Sequence, residues 1–216
     1  MPQIKHHLTD ALLMAYAAGI LPEAFNLVIA THVSLCDDCR AQLSAFDALG
    51  GEVLIDAAAE PMDAASLAAT LALIANCGRD AAPPAPPVTR GLFPAPLRNL
   101  VGGDLDQVRW RRIGGGVSQA VLPSSASASA RLLWIPAGAQ VPDHGHAGLE
   151  LTLVLQGAFH DEADRFGPGD IEVADETMIH QPVADAGQDC ICLAATDAPL
   201  RFRALMPRLA QSFLRI

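Results

Sequence analysis

Residues 81–96 read AAPPAPPVTRGLFPAP. Proline lacks a backbone N–H and fixes its own φ, so it disrupts helix interiors and is barred from central strands. A stretch this rich in proline excludes both and reads as a semi-rigid extended linker. The sequence changes character across it, from helical spacing before to short strands after. The expected fold is therefore multidomain, α then β. A helical unit occupies residues 1–80, a Pro/Ala-rich linker residues 81–97, and a strand-rich unit residues 98–216. A chain of 216 residues has room for one large domain or two small ones.

Before the linker, Leu8, Leu12, Leu13 and Tyr16 recur at helix spacing, and Gly19 can end that helix. Pro22 suits the first turn of a second helix that runs to about Val33. A third starts near Asp37 and is expected to stop at Gly50-Gly51; a fourth starts at Asp63 as N-cap and stops at Gly78. The first 80 residues hold three basic side chains (Lys5, Arg40, Arg79) against ten acids. Such a unit does not bind nucleic acid directly by counterion release, but it can dock on a basic protein. The N-terminus has no apolar core or cleavage site of a signal peptide, and no apolar run reaches membrane-spanning length. The expectation is a soluble, cytoplasmic protein without membrane contact.

Residues 32–39 read HVSLCDDC, a His-x3-Cys-x2-Cys pattern. His32 and Cys36 lie one helical turn apart, and Cys39 one turn further. Two thiolates and an imidazole favour zinc, which takes four ligands in a structural site. The fourth is expected from His6 or His7 at the chain start. A filled site would pin the first helix to the next two, in a unit of about 80 residues whose own core is thin.

After Leu105 the strand candidates are VRWRRI, SQAVLP, ARLLWIP, LELTLVL, DIEVA and DCICLAAT, separated by Gly and Pro turns. Many short strands of this kind indicate an antiparallel sandwich or barrel. Residues 138–157 carry His144, His146 and Glu150, spaced by two and four, with His180 as a further candidate. Residues an even number apart share a strand face, so one strand can aim all three at a point. Two imidazoles and a carboxylate converging there make a divalent metal site. Cys190 and Cys192 share a strand face and read as small core residues, with thiol oxidation as the alternative role. His160 is a stray candidate for acid–base work, Cys77 reads as inert, and Trp110 and Trp134 as core or rim.

With these motifs in view, the helical half resembles the zinc-binding anti-sigma domain, which carries an N-terminal histidine and a His-x3-Cys-x2-Cys motif on four small helices. The whole chain, including HHLTDALLMAYAAG and THVSLCDDC, is similar to the ChrR anti-sigma factors. The second half resembles a cupin. Gly138, His144, His146, Glu150 and Gly157 fit the first cupin motif without a gap. Gly169 and His180 fit the second, where Asp175, Thr177 and Ala184 replace the usual Pro, Gly and Asn.

The resemblance implies a small zinc-binding helical bundle followed by an antiparallel β-barrel of the cupin, jelly-roll type. Structural zinc would be held by His32, Cys36, Cys39 and a leading histidine, taken as His7 because it is nearer the helix. The cupin would hold zinc or another divalent metal through His144, His146, Glu150 and His180. The helical unit would sequester an extracytoplasmic-function sigma factor, 1:1, by burying apolar faces of its first and fourth helices. The cupin would be needed for release in response to singlet oxygen or related oxidative stress. No catalytic residue is assigned. The rival reading is a cupin-type metal-dependent dioxygenase or isomerase with a helical zinc docking domain.

Overall fold

A computed structural model describes residues 3–77 and 91–202. The helices are α1 (Asp10–Ala17), α2 (Glu23–Val33), α3 (Asp37–Asp56), α4 (Ser66–Asn76) and α5 (Ala95–Val101). The strands are β1 (Arg111–Gly114), β2 (Val117–Val121), β3 (Ser129–Ile135), β4 (His144–Gly145), β5 (Glu150–Gln156), β6 (Phe159–His160), β7 (Arg165–Phe166), β8 (Ile171–Ala174), β9 (Ile179–His180), β10 (Val183–Ala184), β11 (Cys190–Thr196) and β12 (Arg201–Phe202). Helices thus precede a cupin-type arrangement of antiparallel strands.

Local chemistry sets the helix ends. The Thr9 hydroxyl caps α1 by accepting from the Leu12 amide at 3.3 Å. Gly19, at φ +67, supplies the left-handed turn behind it. Pro22 is the N-cap of α2. The fourth helix starts at Ser66 with Ala65, not Asp63, as its N-cap. Two further expectations need correction. First, α3 does not stop at Gly50-Gly51 but runs through to Asp56. Each glycine disfavours helix by only about 1 kcal/mol relative to alanine, a penalty that does not by itself end a helix of 20 residues. Second, the proline-rich stretch is not extended throughout. Residues 81–90 lie outside the described residues, but α5 is helical although Pro94 and Pro96 fall at its start. Pro94 is the N-cap and Pro96 sits in the first turn, where the missing N–H has no helical acceptor to lose.

The six strands legible in the sequence form one sheet, in the order β1-β2-β3-β11-β5-β8. The shorter strands form two three-stranded sheets, β10-β6-β7 and β12-β4-β9. None of the three closes on itself among the described residues. The central strands β5 and β11 of the six-stranded sheet are buried on both faces, all seven residues of β11 among them. Alternation divides them. Cys190 and Cys192 pack with Val154, Phe159, Phe166 and Ala184 inside the cupin. Ile191, Leu193 and Ala195 share a cluster with Phe25, Val28 and Ile29 of α2 and with Phe93 and Leu97 at α5. The helical half therefore has little core of its own and borrows the outer face of the sheet.

The N-terminal segment is docked on the same half. The buried Asp170 carboxylate accepts the amides of Lys5 at 2.6 Å and His6 at 3.0 Å through Oδ1. Its Oδ2 accepts the Gly167 amide at 2.8 Å. The Ile171 amide donates to the His6 carbonyl at 3.3 Å. Gly169 lies beneath the segment: a Cβ there would stand 2.7 Å from Ile4 side-chain atoms, and its φ of +92 disfavours any other residue. Replacing Asp170 by alanine strands three amides, so Asp170→Ala is expected to lower stability by about 3 kcal/mol in urea denaturation. A loss below about 0.5 kcal/mol, the range of ordinary surface substitutions, would show that this carboxylate does not hold the segment.

Candidate metal centres

The first group forms where the docked N-terminal segment meets the end of α2 and the start of α3. His7, His32, Cys36 and Cys39 each bring one ligand atom to within 4.8 Å of the others. His32 Nε2 lies 3.2 Å from Cys39 Sγ, and His7 Nδ1 lies 3.3 Å from Cys36 Sγ and 3.7 Å from Cys39 Sγ. Donor–donor edges of about 3.3–3.8 Å are what a four-coordinate ion with nitrogen and sulfur ligands requires. The donors are mostly buried, and burial pushes the Cys39 thiol up to about 11. Burial also lowers His32 to about 4, leaving its imidazole neutral and able to ligate.

Of the two leading histidines, His7 joins this group and His6 does not. The His6 ring packs on Phe166 with centroids 4.4 Å apart, and its Nε2 lies 3.7 Å from Asp164 Oδ2. His32 is oriented from the other half of the chain. Its Nδ1 is 3.0 Å from the Gly169 carbonyl oxygen, which can only accept, so Nδ1 carries the proton and Nε2 faces the cysteines.

The second group is a buried cluster of His144, His146 and His180, again with ligand atoms within 4.8 Å. The expectation that one strand delivers the motif is corrected. His144 sits on β4, which pairs with β9 so that His144 faces His180 directly. Glu150 begins β5, in the six-stranded sheet. Between them the chain bends at Ala147-Gly148 from one sheet to the next. Asp197 holds the bend by accepting the Leu149 amide at 2.9 Å, and Gly148 leaves room for that carboxylate. Convergence thus comes from a change of sheet rather than from strand alternation.

The imidazoles present their Nε2 atoms inward. His144 Nδ1 donates to the Pro142 carbonyl at 2.8 Å, and His146 Nε2 lies 3.2 Å from His180 Nε2. Burial lowers His144 and His146 to about 4. Two neutral imidazoles, with His180 Nε2 facing the same point, suit a divalent ion that displaces the His180 proton on binding. Glu150 stands beside this group: its Oε2 is 3.9 Å from His146 Nδ1, and its Oε1 accepts from the Thr152 hydroxyl at 3.2 Å. Burial raises its carboxyl to about 7, against the opposing charge of Arg131.

Two site residues were not foreseen. His180 Nδ1 faces Asp161 Oδ2 at 3.0 Å and Glu172 Oε1 at 3.1 Å, both buried. Burial works to lower His180, but these two carboxyl groups outweigh it and lift the imidazole to about 9. Asp161 stays below the usual carboxylate range despite its desolvation, because the Asp164 and Ala163 amides and His180 bond to it. Burial raises Glu172 in spite of its bond to His180. Glu172 left a trace in the sequence as the one charge in the otherwise apolar IEVA of β8, whereas Asp161 in a polar loop left none.

The turn that carries His180 also survives its unusual residues. Asp175, in place of proline, accepts from the Thr177 amide at 2.8 Å and hydroxyl at 2.6 Å, a side-chain turn that does the work of Pro-x-Gly. His160 is exposed and pairs with Asp185 at 2.9 Å instead of joining the histidines. Cys190 and Cys192 are buried with their sulfurs 3.5 Å apart, as core residues. Trp110 and Trp134 pack edge to face at 5.4 Å.

Comparison with known proteins agrees with both halves. The family model of the ChrR cupin-like domain matches residues 99–199. The anti-sigma-E factor ChrR of Cereibacter sphaeroides is 58% identical over 213 residues, covering 99% of each chain. The crystal structure of Rhodobacter sphaeroides SigE in complex with the anti-sigma ChrR superposes with a TM-score of 0.80 at 56% identity, covering 90% of this chain and 100% of that one. Similarity of this extent, through the helices and the cupin alike, makes the chain a member of the ChrR family of anti-sigma factors.

Proposed function

We infer that this protein is a regulator of transcription that sequesters an extracytoplasmic-function sigma factor, 1:1, in the cytoplasm. Residues 1–80 would hold the partner, residues 81–97 connect, and residues 98–216 form the cupin that controls release under singlet oxygen or related oxidative stress. The observation that carries this reading is the state of α4. It is an apolar helix, SLAATLALIAN, with no buried residue. Leu67, Leu71 and Ile74, spaced to share one face, are 68%, 56% and 63% exposed. Leu49, Val53, Leu54 and Ile55 at the end of α3 are exposed as well. An apolar surface of this kind marks a protein-binding site. On α1, Met14 and Ile20 just behind it add exposed apolar area. The related ChrR was crystallised with SigE, which supplies a partner class for that surface. Among the described residues no helix is long and apolar enough to cross a membrane.

Zinc fits the first group by its donor chemistry, with His7, His32, Cys36 and Cys39 as ligands; when bound it would supply a structural cross-link. The ligands would then fix the N-terminal segment, the end of α2 and the start of α3 as one rigid base for the rest of α3. Zinc or another divalent metal fits His144, His146 and His180; Glu150, which stands beside them near His146 Nδ1, would have to turn toward them to serve as the fourth donor. The reading assigns the cupin no catalytic step.

Co-expression with the sigma factors of the same genome tests the function. Leu67→Glu with Leu71→Glu is expected to weaken the co-purifying 1:1 complex at least 100-fold. The same change should leave the stability of the free protein within about 0.5 kcal/mol, because neither side chain is buried in it. Undiminished binding by that variant would remove α4 from the interface. A second test concerns the first metal group. The Cys39 thiol is protonated at neutral pH, so zinc must displace its proton, and affinity should fall as pH falls. Zinc titration in weak buffer should release protons, and Cys39→Ala should abolish uptake at this group without emptying the histidine group. Proton-neutral uptake would contradict thiolate ligation.

A further inference from the structure

Four consecutive residues reach from one candidate metal group to the other. The Gly169 carbonyl orients His32 through Nδ1 at 3.0 Å. Asp170 holds the Lys5 and His6 amides at 2.6 and 3.0 Å, immediately ahead of His7. Ile171 bonds the His6 carbonyl through its amide and packs in the cluster shared with α2. Glu172 meets His180 Nδ1 at 3.1 Å inside the cupin. The segment has little freedom to move piecemeal. Gly169 donates to the Val154 carbonyl at 2.8 Å and Val154 donates to the Asp170 carbonyl at 3.0 Å, which ties it to β5. A displacement of Glu172 along the strand is therefore shared by Gly169 and Asp170.

We propose that residues 169–172 position a ligand in each metal group, Glu172 through His180 and Gly169 through His32, and so couple metal binding at the two. The proposal rests on the reading that both groups hold metal. Each ligand is held by the nitrogen that does not face its group, which sets the tautomer and the ring angle. Groups that bond to metal-ligating histidines in this way typically alter affinity by about 10- to 100-fold when removed. Coupling follows because the two holding groups, a carbonyl and a carboxylate, belong to one short stretch of backbone. It is reciprocal: whatever one group does to the other's affinity is returned in equal measure. Asp161 shares His180 Nδ1 with Glu172 but lies in a different loop, so it belongs to one group only.

The test uses the full-length protein loaded with zinc. The parent's metal content at the three histidines is established first; a parent that holds none there overturns the metal reading and this proposal with it. Chelator competition then reads the histidine group. Alkylation of Cys36 and Cys39, followed peptide by peptide with exposed Cys77 as internal reference, reads the other. Glu172→Gln keeps the shape and an acceptor oxygen but removes the carboxylate. It is expected to weaken zinc at the histidines about 10-fold, to shift the His180 Nδ1 resonance, and to speed alkylation of Cys36 and Cys39 severalfold. Asp161→Asn, measured alongside, should weaken the histidine group and leave the cysteines protected. If Glu172→Gln folds poorly, Glu172→Asp, which shortens the side chain and pulls the carboxylate from His180, takes its place with the same outcomes expected. Unchanged zinc affinity and an unmoved His180 resonance in Glu172→Gln would overturn the positioning role. Weakened zinc at the histidines with Cys36 and Cys39 still fully protected would overturn the coupling.

Discussion

The fold depends on one buried carboxylate, Asp170. Residues 3–9 have no helix or strand to satisfy their amides, yet they must deliver His7 to a group of candidate ligands made by α2 and α3. Asp170 settles this from the opposite half of the protein by accepting the Lys5 and His6 amides. A buried anion is tolerated because three amide donors surround it, including that of Gly167. Hydrogen bonds to a charged acceptor are worth about 1.5–3 kcal/mol each. That is enough to order a short peptide against its conformational entropy of about 1–2 kcal/mol per residue only because Ile4 and the His6 ring add packing on Gly169 and Phe166. Remove this dock and the first metal group loses one of its four donors.

The second constraint is the double duty of the six-stranded sheet. A sheet with one wet face would show clean alternation of apolar and polar residues. The sequence CICLAAT shows none, because its inward residues serve the cupin and its outward ones serve α2 and α5. The arrangement removes the need for a separate helical core, which about 80 residues could barely supply. It also has a mechanical consequence. A rearrangement that moves Cys190 or Cys192 inside the cupin moves Ile191 and Leu193 under α2 in the same strand. The β11 wall and the N-terminal dock join the two halves in space, and Phe93, from the end of the proline-rich stretch, packs in the same shared cluster.

Much of this was legible in the sequence where periodicity or ligand spacing was strong. The first two helices, the six longer strands, the His-x3-Cys-x2-Cys group and the three cupin histidines all carry signals that span several residues. What escaped is local or long-range. β4, β6, β7, β9, β10 and β12 are two residues each, too short to show alternation. The passage of α3 through Gly50-Gly51 turns on a helix penalty too small to end the helix by itself. The convergence of His144 with His180 comes from a cross-strand pair 36 positions apart, and strand parity within one segment could not anticipate it. Asp161 gives no sign in the sequence because its burial follows from a loop folding over His180. The sequence favours His7 over His6 only by its place nearer the helix; the physical basis of that choice is the Asp170 dock, which turns one ring to Phe166 and the other to the cysteines.

The distribution of burial separates the parts that must be stable from the part that must be available. α2 is buried on the sheet at Phe25, Val28 and Ile29, and α1 at Leu12 and Leu13. α3 is buried only at Cys39, and α4 nowhere. An 11-residue helix with no packed face is marginal on its own, since most helical stability in proteins comes from burying such a face. Low local stability is the expected property of elements that rearrange on binding. The apolar area on α4 and the end of α3 then becomes useful only when a partner covers it, and its coverage adds to affinity what the free protein lacks in local stability. Control can act at the base of α3, where metal ligands and the Gly169 carbonyl meet, without touching the binding face itself. A small change there is levered along α3, which at 20 residues extends about 30 Å. Under the proposed coupling, that geometry would carry a change at the cupin histidines to α3.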